Sequence, residues 1–154
     1  YKDIEVEFWQ ELEAATKEAE AAFPELRRDR RSNLIAYASK LPNSAVLESW
    51  KVLDETAEKL IRSKNAEVNL ESNTRYKHIE DLLVNGNIID TQKGKLFREL
   101  RQLRNKVAHA VGYEVGKAEA IQYVELCFTL AEHFDSLTSD CGVNPPIKAI
   151  NKPK

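Results

Sequence analysis

Glycine and proline are scarce, with five of each in 154 residues. A β-sandwich uses both freely in its many turns, so their scarcity disfavours that architecture. Cysteine occurs twice, as Cys127 in an apolar helical pattern and Cys141 in a polar tail. The two do not have metal-ligand spacing, and no disulfide framework of a secreted protein is visible. A reducing compartment, the cytoplasm, is the expectation. No apolar run approaches the length that spans a bilayer, and there is no signal peptide. The chain begins at Tyr1 rather than at methionine. It therefore reads as a piece of something longer, whose membrane contact would come only through a segment absent from this chain, at the cytoplasmic face. A large excess of one charge is also missing. The formal net charge is −2 and the pI is about 6.0, which argues against a surface coated in positive charge for nucleic acid and leaves room for a local basic patch.

What is present is apolar residues at helical spacing. Ile4, Phe8, Leu12, Ala15, Ala19 and Ala22 form a stripe over 4–23, much of it alanine, so this helix is expected to pack weakly. "IEVEF" also alternates like a strand, but it runs straight into helical spacing. Pro24 ends the segment. Arg27, Arg28, Arg30 and Arg31 follow and read as a solvated basic linker, the sharper alternatives being contact with phosphate or an anionic membrane. A short helical piece over 33–41 stops at Pro42. Asn43 or Ser44 then caps a long helix to about residue 63, with Val46, Trp50, Leu53, Ala57, Leu60 and Ile61 on one face.

After a polar stretch, a helix over 74–85 ends at Gly86, placed for a left-handed C-terminal position. Asp90 or Thr91 caps a helix over 91–110 with Leu96, Leu100, Leu103 and Val107 inward, and a last helix spans 118–137 with Ile121, Val124 and Phe128 buried. The expected organisation is an N-terminal helix and basic linker over 1–41, a helical bundle over 42–137, and an extended tail over 138–154. The fold class is all-α, an up-and-down bundle of four to five helices. Trp50, Leu53, Leu100, Leu103, Val124 and Phe128 are expected in one core.

One helix carries more than a packing pattern. In "RQLRNKVAHA", residues 101–110, Arg104 lies about 60° off the leucine stripe, whereas Asn105 and His109 lie about 160° off or more. Asn105 and His109 are one turn apart and so are neighbours. Arg101 adds charge between Arg104 and Asn105. On the long helix Asp54 lies about 60° off its own stripe, at the core edge like Arg104, and the two are expected to pair, with Asp54 positioning Arg104. His78 and His133 read as ordinary surface or half-buried residues.

"LFRELRQLRNKVAHAVGYEV" resembles the signature helix of the HEPN superfamily: arginine, a polar residue, three more residues, then histidine. Arg104, Asn105 and His109 fill that pattern. "LLVNGNIIDTQKGKLFRELRQLRNKVAH" is similar to the helix, glycine turn and motif helix of a bacterial HEPN-like family of unknown function. "SAVLESWKVLDETAEKL" resembles that family's tryptophan-bearing helix, matching at Trp50 and Asp54. The likeness covers about residues 42 to 137. HEPN toxins that carry a tyrosine two residues after the histidine are not matched, because Val111 stands there and Tyr113 is displaced.

The resemblance implies a helical bundle that dimerises across its motif helices and, in active members, a metal-independent endoribonuclease of bacterial defence or stress response. RNA cleavage by the 2′-OH needs a base, an acid and positive charge at phosphorus. Histidine titrates near neutrality and arginine forks onto phosphate oxygens. Arg104, Asn105 and His109 are therefore the expected catalytic set, with Asp54 and Arg101 in support, and no metal or cofactor. Asn105 would orient His109 or contact the phosphate. RNA is the expected partner, with a second copy of the chain supplying the second histidine. The alternative is a non-catalytic dimerisation module, or one that senses a nucleotide or RNA, within a larger, membrane-tethered protein.

Overall fold

The computed structural model describes residues 2–71 and 73–142, with side chains described from 4 to 138 apart from residue 72. Among them are six helices and no strands: α1 Lys2–Ala22, α2 Glu25–Ala38, α3 Pro42–Lys64, α4 Arg75–Asn85, α5 Thr91–His109 and α6 Lys117–Gly142. The all-α bundle is as expected, with one more helix than anticipated. The additional one is α2, which absorbs both the basic linker and the short piece over 33–41. Its arginines are not simply solvated. Arg27 pairs with Asp135 of α6, Arg31 with Glu125 of α6, and Arg30 with Glu20 of α1 at 3.1 Å. Carboxylates on α1 and α6 hold α2 in place, and Leu34 and Ala38 are its buried apolar residues.

The centre of the bundle is α3, which packs against α2, α4, α5 and α6. It buries Val46, Trp50, Leu53, Ala57, Leu60 and Ile61 as its stripe predicts, and Val52 besides. α6 is its principal partner, burying Val124, Phe128 and Phe134. Trp50, Phe97 and Phe134 form a chain of rings, with centroids 5.0 and 6.1 Å apart along it. The polar connection after α3 drops Leu70 into the core. By contrast α1 packs weakly, as its alanines imply, and Ile4, Phe8, Trp9 and Leu12 are exposed.

Several boundaries and one core residue differ from expectation. α3 begins at Pro42, so Asn43 is already inside the helix and is not its cap. Gly86 has φ −83°, and the left-handed residue of that turn is Asn87 at φ 58°. The first turns of the expected tail, 138–142, continue α6; residues 143–154 lie outside the described residues. Leu103 is 46% exposed. The inward face of α5 is set by Gly94, Phe97 and Leu100, all buried, and Leu103 lies about 120° away from Phe97. The leucine repeat was offset from the true core face because phenylalanine and glycine, not leucine, define it.

Gly94 has a steric role. A Cβ there would stand 2.3 Å from Val84 Cγ2 of α4, so glycine permits the close approach of α4 and α5. Gly94→Ala is expected to destabilise the fold by about 1–3 kcal/mol, although alanine is the better helix former. Phe97→Ala is expected to cost about 3–5 kcal/mol and Leu103→Ala well under half of that. Urea unfolding of the three variants checks this order.

Candidate functional site

Asp90 caps α5, its side chain accepting from the Lys93 amide at 2.9 Å, as expected. Phe97 and Leu100 then lock the middle of the helix into the core. The Tyr123 hydroxyl of α6 donates to the Leu100 carbonyl at 2.8 Å. In a regular helix that carbonyl also receives the Arg104 amide, so α6 fixes the turn that carries Arg104. Burial pushes both the Tyr123 phenol and the neighbouring Cys127 thiol up, the latter to about 12. Neither is suited to proton transfer, and they serve packing.

Arg104 lies about 20° from Phe97 on the helical wheel. It therefore continues the core face past the last buried side chain, and its Nε is buried. Its Nη1 donates to Asn105 Oδ1 at 3.2 Å. Asn105 is half-buried, and His109, the last residue of α5, is exposed. The Asn105 side chain thus contacts Arg104, whereas no side-chain hydrogen bond joins it to His109. Arg101 does not add free charge. Its Nε is 2.8 Å from Glu80 Oε1 of α4, and Arg98 reaches the other Glu80 oxygen at 3.3 Å.

The expected Asp54–Arg104 pair is replaced by another. Asp54 Oδ2 accepts from Arg75 at 2.9 Å, and Arg75 also reaches Glu58 at 3.0 Å. Arg75 opens α4 and bridges two carboxylates one turn apart on α3. Glu58 in turn holds Arg62 at 2.9 Å, and Arg62 donates to the Val68 carbonyl at 3.1 Å. Arg104 remains near Asp54 without an ion pair between them; its charge is one of those that favour the Asp54 anion.

Asp54 and Arg104 line a cavity of about 360 Å³ together with Ser44, Leu47, Glu48, Trp50, Lys51 and Tyr76. Three of them hold a buried polar atom with no partner in the protein: Trp50 Nε1, Asp54 Oδ1 and Arg104 Nε. The sequence reading found Arg104 and Asp54 but missed Arg75 and Tyr76 as contributors, and it treated Trp50 as core alone. The four-residue step from Trp50 to Asp54 was the available signal, since it stacks indole and carboxylate one turn apart.

Asn43 also has a role that its position concealed. Its Nδ2 donates to the Tyr113 carbonyl at 2.8 Å and its Oδ1 accepts from the Val115 amide at 2.9 Å. The loop after His109 is thereby tied to the first turn of α3. Val111 and Tyr113 remain exposed beside His109.

Among the described residues no three His, Cys, Asp or Glu side chains gather as they would around a metal ion. No described helix is long and apolar enough to cross a membrane. The chain matches no protein-family model, no curated protein and no solved structure.

Burial raises the Asp54 carboxyl above the ordinary aspartate range, chiefly by desolvation, against the lowering influence of Arg75. An aspartate raised in this way favours folding below its unfolded-state value and loses that contribution as pH rises through the folded one. Carboxyl ¹³C NMR is expected to show Asp54 titrating above exposed aspartates. Arg75→Gln should move its midpoint further up, because the lowering partner is removed while burial persists.

Proposed function

We propose that this chain is a HEPN-like domain that acts as a metal-independent endoribonuclease, as a homodimer, in bacterial defence or stress response. The observation that carries the reading is the end of α5. There Arg104 holds Asn105 through Nη1, and exposed His109 follows one turn after Asn105. Arg104 keeps its remaining guanidinium N–H groups, and Asn105 its amide N–H groups, for phosphate oxygens.

In the proposed reaction the ribose 2′-oxygen attacks phosphorus and the bond to the 5′-oxygen breaks. One group takes the 2′ proton and another supplies a proton to the leaving oxygen. A single chain offers one His109 at this end. A two-fold dimer brings two, one as base and one as acid, with Arg104 and Asn105 of each copy stabilising the charged phosphorane. The domain would work in the cytoplasm or at the cytoplasmic face of a membrane.

A second reading, a module that senses a nucleotide or RNA without cutting it, is favoured by the cavity at Arg104, whose lining joins that cation to the rings of Trp50 and Tyr76.

The ribonuclease reading predicts cleavage of RNA in the presence of EDTA, products ending in 2′,3′-cyclic phosphate, and no cleavage of DNA. His109→Ala should slow cleavage about 10²-fold or more, and Arg104→Ala by a similar factor. His109 is exposed, so circular dichroism of its variant should be unchanged. Protein that binds RNA across varied sequences and never cuts it leaves the sensing reading, and cleavage that survives His109→Ala removes the assigned site.

A further inference from the structure

Two faces of the molecule leave large apolar side chains uncovered. The first is on α1. Ile4, Phe8 and Leu12 lie within about 80° of one another on the helical wheel, and all three are exposed. The polar side of this helix is the one that holds it to the bundle. Glu13 and Glu20, about 120–140° round from Phe8, pair with Lys51 of α3 and Arg30 of α2. The apolar stripe is thereby turned away from the helices that could have covered it. A patch of this kind on a folded chain marks an interaction surface. The second face is on α5. Leu96, Leu103 and Val107 lie within about 40° of one another and about 80–120° from Phe97, so this stripe runs beside the core face. Leu103 is exposed and the other two are half-buried. Past the end of the helix Val111 and Tyr113 are exposed as well, on the loop that Asn43 clasps.

The two faces carry opposite charge. α1 has seven acidic residues and two lysines, and it stays negative after the cations that bind Glu13 and Glu20 are counted. Residues 91–116 have six lysines and arginines and two glutamates. They stay positive after Glu80 and Asp90, which pair with three of the six, are counted. Two copies of α1 laid side by side would set carboxylates against carboxylates, and a surface of anionic lipid would repel the helix in the same way. The face that offers both apolar side chains and cations is α5 of another copy. Within one copy α1 cannot take that place, because the ion pairs of Glu13 and Glu20 keep its stripe facing outward.

We propose that α1 of one copy docks through Ile4, Phe8 and Leu12 on the Leu103 face of α5 in a second copy. The contact joins unlike surfaces, so it closes as a reciprocal pair or ring, or continues from copy to copy. α5 also carries Arg104 and His109, and the contact seats the partner's α1 on the helix of the candidate site. It gives the second copy a surface on α1 that the shared His109 cleft does not require, and it stands whether or not RNA is cut.

Sedimentation of the full chain over a range of concentrations tests it. The wild-type chain should associate. Phe8→Ser and Leu103→Ser should each weaken association about tenfold or more, the scale of a central apolar anchor. Raising the salt should weaken it too, because screening removes the attraction between the two helices. Both side chains are exposed, so circular dichroism should be unchanged, and Leu12→Ser on the same stripe replaces Phe8→Ser if that variant unfolds. Mixing decides the pairing. The Leu103 variant keeps an intact α1 and the Phe8 variant an intact α5, so the two together should associate more strongly than either alone. Loss in the Phe8 variant alone would mean that α1 meets α1, and loss in the Leu103 variant alone that α5 meets α5. Either overturns the proposal, and the second keeps the dimer needed for the His109 cleft. A wild-type chain that stays monomeric at every concentration overturns both the contact and that dimer. Association that salt strengthens removes the charge pairing on which the proposal rests.

Discussion

The half-buried Asp54 carboxylate of α3 gives one oxygen to Arg75 at the start of α4. Much of the site's geometry depends on that pairing. A buried carboxylate with no partner would carry the full cost of lost hydration. Arg75 offsets it and, by spanning Asp54 and Glu58, fixes where α4 begins against α3. α4 then locates α5 in two ways: Gly94 lets the helices touch at Val84, and Glu80 grips Arg98 and Arg101. With α5 so placed, Phe97 packs against Trp50 and Leu100 is the last fully buried residue before the helix reaches the core edge. Arg104 stands there, at the edge between packed rings and solvent.

Much of the fold was legible because long amphipathic stripes declare both helix and buried face. The α3 stripe through Trp50 and Leu60 and the α6 stripe through Val124 and Phe128 are buried as read. Misreadings arose where a local signal competed with a tertiary one. Arg27, Arg30 and Arg31 look like a solvated block in isolation, and only the carboxylates of Glu20, Glu125 and Asp135, some of them distant in sequence, explain a packed helix. Leu103 belongs to a tidy leucine repeat, yet the core takes Phe97 and Gly94, which rotates the inward face away from it. Asn43 looks like a cap, but Pro42 already opens the helix and the side chain is used to clasp the loop at Tyr113 and Val115.

The candidate site was legible in part for the same reasons. Arg104, Asn105 and His109 lie within six consecutive residues, and a helix necessarily keeps such residues near one another. The helical wheel put Arg104 at the core edge, where it stands, although the leucine stripe used as reference was itself offset. The Asp54 partner could not be chosen from sequence: Arg75, Arg101 and Arg104 are all arginines on the two helices that follow, and the choice depends on how those helices seat. Arg101 is drawn off by Glu80 and Arg75 takes Asp54, which leaves Arg104 Nε buried without a protein partner. Unmatched polar atoms of this kind have no signature in a linear chain, since they are defined by which neighbours are already engaged.

The central claim is that Arg75, by bridging Asp54 and Glu58, seats α4 on α3 and through α4 the end of α5 that carries Arg104. The two tryptophans give a direct way to test it, because Trp9 is 66% exposed on α1 and Trp50 is buried against Tyr76 of α4 and Phe97 of α5. A ¹H–¹⁵N spectrum resolves both indole N–H groups. In Arg75→Gln the Trp50 indole signal should shift and exchange faster with solvent, while the Trp9 signal stays in place. A Trp50 signal that does not respond, or two indoles that shift alike, would contradict the account.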